Sequence, residues 1–252
     1  MMIPYAAAPA LGTVTEIWPY LMDGARVTVL VALGATPVAL ALAFVVGLLS
    51  RSRHVWIRGV VRVYLELFRG TSVIVQMYWI FFAMPALTGY RLDPILAGIV
   101  AVGLHMGAYG SEVVRGAIAA VPRTQWEAAV ALNFSPFQCM VRVILPQAWV
   151  GMVPALNNNW IELLKVTSLV SVISVADLIA ESNTLRNSGY SPLIVMTMVM
   201  VVYLVLALAI TTIMRFLERR AARRVGRDVA PVFRTRRGDG SVKTAPSAGG
   251  LS

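Results

Sequence analysis

Glu162 and Lys165 stand three residues apart in a stretch that is otherwise apolar enough to cross a bilayer. That spacing puts both on one face of a helix. A charge at the bilayer centre costs about 2.5–3.5 kcal/mol on insertion scales, so the pair requires a reason. One reading is a mutual salt bridge near the membrane edge. The other is that Glu162 faces a solute path and binds a cationic group. His105 lies in Gly103-Leu-His-Met-Gly-Ala-Tyr109, where Gly103 and Gly107 would leave room beside its ring. It is either a buried, hydrogen-bonded histidine or a solute contact. Gln76 and Tyr109 are weaker candidates of the same kind. Met77, Met106, Met196, Met198 and Met200 read as packing or lipid-facing residues. Arg69, at a span entrance, is expected to snorkel or to bond backbone carbonyls.

Covalent and metal chemistry have no support. Cys139 is the single cysteine, which excludes an intrachain disulfide and a cysteine-based zinc cluster. His54 and His105 are far apart in sequence, so no histidine metal site is expected. No catalytic residue, metal or cofactor is assigned.

A second constellation lies in the segment 115–148. Thr124 followed by Glu127 has the spacing of a capping box, a helix N-terminus signal. Ala128, Ala129 and Ala131 favour a short helix of thin profile. Ser135-Pro136 reads as the N-cap and first-turn proline of a second helix. The predicted break between the two falls near Asn133–Ser135, and Pro146 is expected to start the next segment. Small side chains on an exposed helix allow a partner surface to approach closely.

These residues must be positioned by membrane helices. The chain has 252 residues, 58% hydrophobic and 13% charged, with mean hydropathy +0.73. Soluble domains carry roughly 25% charged residues, which excludes an ordinary soluble enzyme or a disordered chain. The uncharged runs are Val27–Ser50, Gly70–Tyr90, Pro94–Ser111, Val143–Ile161 and Asn187–Met214. A helix needs about 20 residues to cross roughly 30 Å of hydrocarbon. Five crossings are predicted, near 26–50, 63–86, 94–114, 149–171 and 192–215. Ser168–Ile179 either finishes the fourth or forms a short separate helix. No Lys or Arg occurs in the first 25 residues, so no cleavable signal peptide is expected and 1–25 reads as an extracytoplasmic segment.

Net charge is +10, and ten of the 22 Lys/Arg lie from Arg215 onward. Residues 218–252 read as a basic, disordered cytoplasmic tail. The basic residues flank apolar spans, which argues for membrane lipid and against nucleic acid as the partner. Alternate loops plus the tail hold seventeen Lys/Arg (Arg51, Arg53, Arg58, Arg62, Arg115, Arg123, Arg142 and the ten) against Arg26, Arg91 and Arg186 on the other side. The positive-inside rule then predicts the N-terminus outside and the C-terminus in the cytoplasm.

Glu127-Ala128-Ala129, Asn133 and Val143-Ile144-Leu145-Pro146 resemble the EAA loop of bacterial ABC-importer permeases. Asn133 stands where that pattern has glycine, and asparagine also tolerates a left-handed turn. Further segments resemble the polar amino acid branch of the histidine/glutamine type. They are Arg69-Gly-Thr-Ser-Val-Ile-Val-Gln76 (with Ser72 for proline), Ala108-Tyr109 through Glu112, Arg115 through Pro122, Gln125-Trp126-Glu127, Leu145-Pro-Gln-Ala148, and Leu163 through Ser171. The resemblance covers about residues 20–220.

It implies an all-α polytopic bundle with the type I importer permease fold, 26–217 being the transmembrane domain. It also implies a second permease chain, two ATP-binding cassette subunits on the EAA loop, and an extracytoplasmic solute-binding protein, all at the bacterial inner membrane. The coupling residues would be Glu127, Ala128, Ala129, Asn133, Leu145 and Pro146; the substrate path would hold Glu162, His105, Tyr109 and Gln76. With no Walker A motif, ATP hydrolysis falls to partner subunits. The implied solute is a polar amino acid or zwitterionic derivative. Ser72, Asn133 and Glu162-Leu-Leu-Lys165 look nearer the ectoine/hydroxyectoine permeases. A stand-alone secondary transporter or channel is the alternative, but such proteins usually carry internal repeats, and none is visible here.

Overall fold

The computed structural model describes residues 10–224, and every regular element among them is helical. Helix α1 (Ala10–Leu49) starts well ahead of residue 26, so most of the expected N-terminal segment is helix; residues 1–9 lie outside the described residues. Then follow α2 (Val55–Gly70), α3 (Val73–Tyr78), a π-helical turn (Trp79–Ala83) and α4 (Met84–Thr88). Helix α5 (Pro94–Ala119) is capped by Asp93, whose side chain accepts from the Ile95 and Leu96 amides. Helices α6 (Arg123–Ala131) and α7 (Pro136–Gln138) form the loop, and a second π turn (Cys139–Ile144) leads into α8 (Leu145–Thr167). A 3-10 turn (Ser168–Ile173), α9 (Leu178–Asn187) and α10 (Pro192–Arg224) complete the fold. The helix α10 carries the chain through 218–224, and the rest of the expected tail lies outside the described residues.

Four helical stretches are long and apolar enough to cross a membrane, and a bent pair makes a fifth. The bend corrects the expected crossing near 63–86. Val55–Gly70 and Val73–Thr88 meet at 108°. Thr71 and Ser72 are extended there, with ψ of 158° and 135°. The fourth crossing also differs from expectation. It continues as helix from Pro136, and Pro146 interrupts nothing. Proline lacks an N–H and clashes with the carbonyl four residues back. A π turn widens the helix immediately before Pro146, and another before Pro85, and each relieves that clash. Ser168–Ile173 extends the crossing as a 3-10 turn, Ser174 breaks it at φ 66°, and α9 is separate.

The core rests on α1 against α5, the most extensive helix pair. Without water, helix association depends on close van der Waals packing, which favours small residues. Ala35, Ala39 and Ala43 of α1 are buried. A Cβ on Gly103 would lie 2.6 Å from Val38, on Gly107 2.7 Å from Leu42, and on Gly110 2.9 Å from Ala43. The space expected beside His105 at Gly103 and Gly107 is therefore filled by α1. Positions 103, 107 and 110 project opposite to 105, 109 and 112 at 3.6 residues per turn.

Helix α9 docks on α1 and α10 through polar groups. The Leu178 amide donates to Thr28 Oγ1 at 3.2 Å, and Thr28 donates to the Gly24 carbonyl at 3.0 Å. Asp177 caps α9, its Oδ1 accepting from the Ala180 amide at 2.9 Å. The residue is fully buried and Oδ2 has no hydrogen-bond partner. Burial pushes the carboxyl up to about 6; Glu181 on its own helix adds to the rise, and Tyr203 of α10 faces it.

Two outcomes follow from this packing. Gly107→Ala should cost about 1–3 kcal/mol, because its Cβ meets the root of Leu42 and the helices must part. Gly116→Ala, with open space around it, should not lower stability. Thermal unfolding of the purified protein reads both. Asp177 has a folded pKa above its ordinary 3.8, so its ionisation opposes folding above about 6 and this penalty fades as pH falls toward 3.8. Asp177→Asn keeps the capping oxygen and removes the charge. It should raise the melting temperature near pH ~8, with the gain shrinking below pH ~6. Asp177→Ala loses the cap and should cost about 1 kcal/mol near pH ~4, with the cost shrinking as pH rises because the ionisation penalty is removed with the side chain.

Candidate functional site

The face of α5 opposite its glycines carries His105, Tyr109 and Glu112, one helical turn apart. His105 is buried, and its Nδ1 lies 3.1 Å from Oε1 of Gln76. Gln76 projects from the first turn after the bend. Its Nε2 donates to the Phe68 carbonyl at 3.0 Å, the Thr71 carbonyl at 3.2 Å and Thr71 Oγ1 at 2.8 Å. It thereby satisfies carbonyls left open where α2 ends. With Nε2 committed to donation, Oε1 must accept, so the His105 Nδ1 donates to it. Tyr64 of α2 donates to the Leu104 carbonyl at 2.7 Å and fixes the two helices beside the bend.

The row continues along α5. The Tyr109 ring lies 5.1 Å from the His105 ring and is partly exposed. The Arg69 guanidinium stands 5.6 Å above the Tyr109 ring, and its Nη1 lies 3.6 Å from Oε1 of Glu112. Glu112 also accepts from Arg115 Nε at 3.0 Å and from its Nη2. Arg69 thus neither snorkels nor bonds carbonyls as expected; an anion and an aromatic face hold it. Beside it opens a cavity of about 480 Å³, lined by Arg58, Arg62, Glu66, Arg69, Glu112 and Arg115 among others.

Glu162 is exposed on α8. It makes no ion pair with Lys165, also exposed, so the salt-bridge reading is set aside. Asn159, one turn earlier, donates to the Met106 carbonyl at 3.4 Å. The structure therefore brings Gln76, His105 and Tyr109 into one row, with Glu162 on the neighbouring α8 one turn past Asn159. The sequence reading gave Arg69 and Glu112 no place in the solute path. Their signal was present, since each charge borders an uncharged run, Gly70–Tyr90 and Pro94–Ser111.

The loop forms a separate surface. Glu127 and Ala128 are exposed on α6. The expected Thr124 capping box is absent: Pro122 is the N-cap and Thr124 lies inside the helix. A full capping box occurs instead at Ser135 and Gln138. Asn133 adopts φ 56°, with its amide on the Val130 carbonyl and the Phe134 amide on the Ala129 carbonyl. This is a Schellman termination with asparagine in the usual glycine place. Ala129 is 2% exposed and packs with Cys139, Ile144 and Ala148, which takes it off the outer face. Val130, Leu132 and Phe137 are exposed and add an apolar surface that small-residue reasoning missed. Leu145 and Pro146 lie where this loop enters α8, Leu145 partly buried and Pro146 exposed. Trp126 meets Arg51 in a cation–π contact at 5.6 Å, and Gln147 donates to Gln125 at 3.0 Å, tying α6 to the bundle.

Residues 35–223 match the family described as binding-protein-dependent transport system inner membrane component. A probable amino-acid ABC transporter permease protein, y4tF of Sinorhizobium fredii, is 42% identical over 205 residues, 79% of this chain and 86% of that one. The glutamine transport system permease protein GlnP of Escherichia coli is 37% identical over 214 residues, 82% of this chain and 96% of that one. Among solved structures, an amino acid ABC transporter crystallised with histidines superposes with TM-score 0.77 at 28% identity, over 85% of this chain and all of that one.

Proposed function

The chain belongs to the inner membrane components of binding-protein-dependent transport systems, and on that premise we propose how it works. It is the membrane-spanning permease subunit of an ABC importer, with helices for up to five crossings. The proposal is that two such chains form the path, two ATPase subunits bind the loop, and an extracytoplasmic protein delivers a polar amino acid or zwitterionic derivative. The N-terminus lies outside and the C-terminus in the cytoplasm, following the arginine and lysine distribution. ATP is hydrolysed by the partners.

One observation carries this reading. The loop helix α6 is followed, after its turn at Asn133, by a single continuous helix that reaches Glu162. Glu127 and Ala128 face outward on α6, Asn133 closes that helix, and the chain runs unbroken from Pro136 through Leu145 and Pro146 to Glu162. A displacement imposed at α6 is thereby delivered to the solute row. Glu162 supplies the contact for a cationic group, Tyr109 offers an aromatic face, and Gln76 and His105 shape the wall. The names of the relatives support an amino acid as the solute.

Reconstitution with the partner ATPases and binding protein in proteoliposomes tests the reading. ATP-dependent uptake of a polar amino acid is expected; uptake of ectoine alone would move the solute class, and no uptake of any of these would defeat the proposal. Glu127→Lys and Ala128→Asp should cut ATPase co-purification and uptake by at least about tenfold, because a reversed or added charge spoils a docked surface. Their melting temperature should stay unchanged. Ala129→Asp should instead lower the melting temperature, since it buries an unpaired carboxylate. Glu162→Gln should assemble normally and lower uptake by roughly tenfold through loss of a charge-assisted contact. Adding Lys165→Met should not restore it, because the two side chains form no ion pair; full restoration would make Glu162 structural.

A further inference from the structure

We propose that Arg69 is the carboxylate receptor of the solute path, and that Glu112 restrains it while the path is empty. The inference rests on the reading of the row as that path. The charged groups around the cavity are unequally engaged. Arg58 donates to the Ser52 and Arg53 carbonyls at 2.9 and 3.2 Å. Arg115 holds Glu112 through two hydrogen bonds. Arg62 reaches Glu66 only at 4.0 Å, with both side chains largely exposed. Arg69 lies 3.6 Å from Glu112, beyond hydrogen-bond distance, and among the described residues its guanidinium makes no other ion pair.

A guanidinium has five N–H donors in a planar fork that fits a carboxylate with two parallel bonds. Arg115 takes Oε2 of Glu112, and Oε1 faces Arg69 at 3.6 Å, too far for a hydrogen bond, so among the described residues the fork is left for another acceptor. The Tyr109 ring underneath fixes the guanidinium without occupying its donors. Tyr109 also places Arg69 next in line after His105. The cavity at its edge, about 480 Å³, falls in the range of small-molecule sites, roughly 300–1,000 Å³. Glu162, exposed on α8 one turn past the Asn159 that bonds the Met106 carbonyl of α5, offers the complementary charge. A solute with a cationic group and a carboxylate would meet one charge at each end. An arriving carboxylate competes with Glu112 for Arg69 and leaves the Glu112–Arg115 pair intact.

The test is equilibrium binding of L-glutamine and L-histidine, and of their α-carboxamides, to the purified permease–ATPase complex without binding protein. Inorganic phosphate serves as a competitor. The unsubstituted complex is expected to prefer each acid over its amide. Arg69→Gln should weaken acid binding at least about tenfold, the scale of one lost charged hydrogen bond, and abolish the preference. Arg69→Lys should recover part of both. Glu112→Gln should tighten acid binding and leave amide binding unaltered, and it carries the test alone if Arg69→Gln does not assemble. An unchanged acid preference in Arg69→Gln, no change of any kind in Glu112→Gln, or equal competition by phosphate would overturn the role of Arg69. Failure of the unsubstituted complex to bind any of the amino acids would instead overturn the amino-acid path on which the role depends.

Discussion

The close approach of α1 and α5 is the constraint on which the other features depend. Gly103, Gly107 and Gly110 let the two backbones meet where a Cβ would collide with Val38, Leu42 or Ala43. In a bilayer this contact cannot draw on the hydrophobic effect between helices, so its stability comes from packing at short range. A helix clamped along one face has its rotation fixed. His105, Tyr109 and Glu112 therefore have one direction to face, and their row exists because the glycines oppose it. Gln76, Tyr64 and Arg69 then reach that row from α2 and α3, whose bend is held by the Gln76 amide on the Phe68 and Thr71 carbonyls.

Proline placement explains how the loop and the bundle stay connected. Pro85 and Pro146 would each break a regular helix. Both sit immediately after a π turn, where the extra residue per turn accommodates the missing N–H. The segment 136–167 stays one helix as a result, with the loop at one end and Glu162 near the other. A true break at Pro146 would have given a flexible joint, and a flexible joint transmits little force.

Much of this was legible in the sequence, for identifiable reasons. Uncharged runs located the spans because charge is costly in lipid. Asn133 and Ser135 announced the loop's turn and cap because few residue types adopt φ 56° or accept from an N3 amide. The 108° bend was hidden because Gly-Thr-Ser also occurs within helices. Capping at Thr124 failed because Pro122 starts the helix sooner. Ala129 was assigned to the outer face by composition alone, whereas only tertiary packing decides which alanine of a run turns inward. The room beside His105 was misjudged because a glycine signals close approach without saying whether a ligand or another helix fills it.

The placement of charge separates wall from lining. Gln76 and His105, the two buried polar members of the row, are hydrogen-bonded to each other. The ionised members, Glu162, Arg69, Glu112 and Arg115, all retain exposure. Burying an ion costs several kcal/mol even when it is paired, so this order is the one that water would impose. Charges are tolerated where solvent or a solute can reach them, and neutral amides and imidazoles fill the layer behind. Asp177 is the exception, a carboxyl fully buried under α9, and its elevated pKa expresses the same rule by favouring the neutral form. The charges that do enter the apolar bundle, Glu112 of α5 and the Arg69 that reaches it, thus lie on the side of α5 that faces away from its glycines, where a polar path requires them.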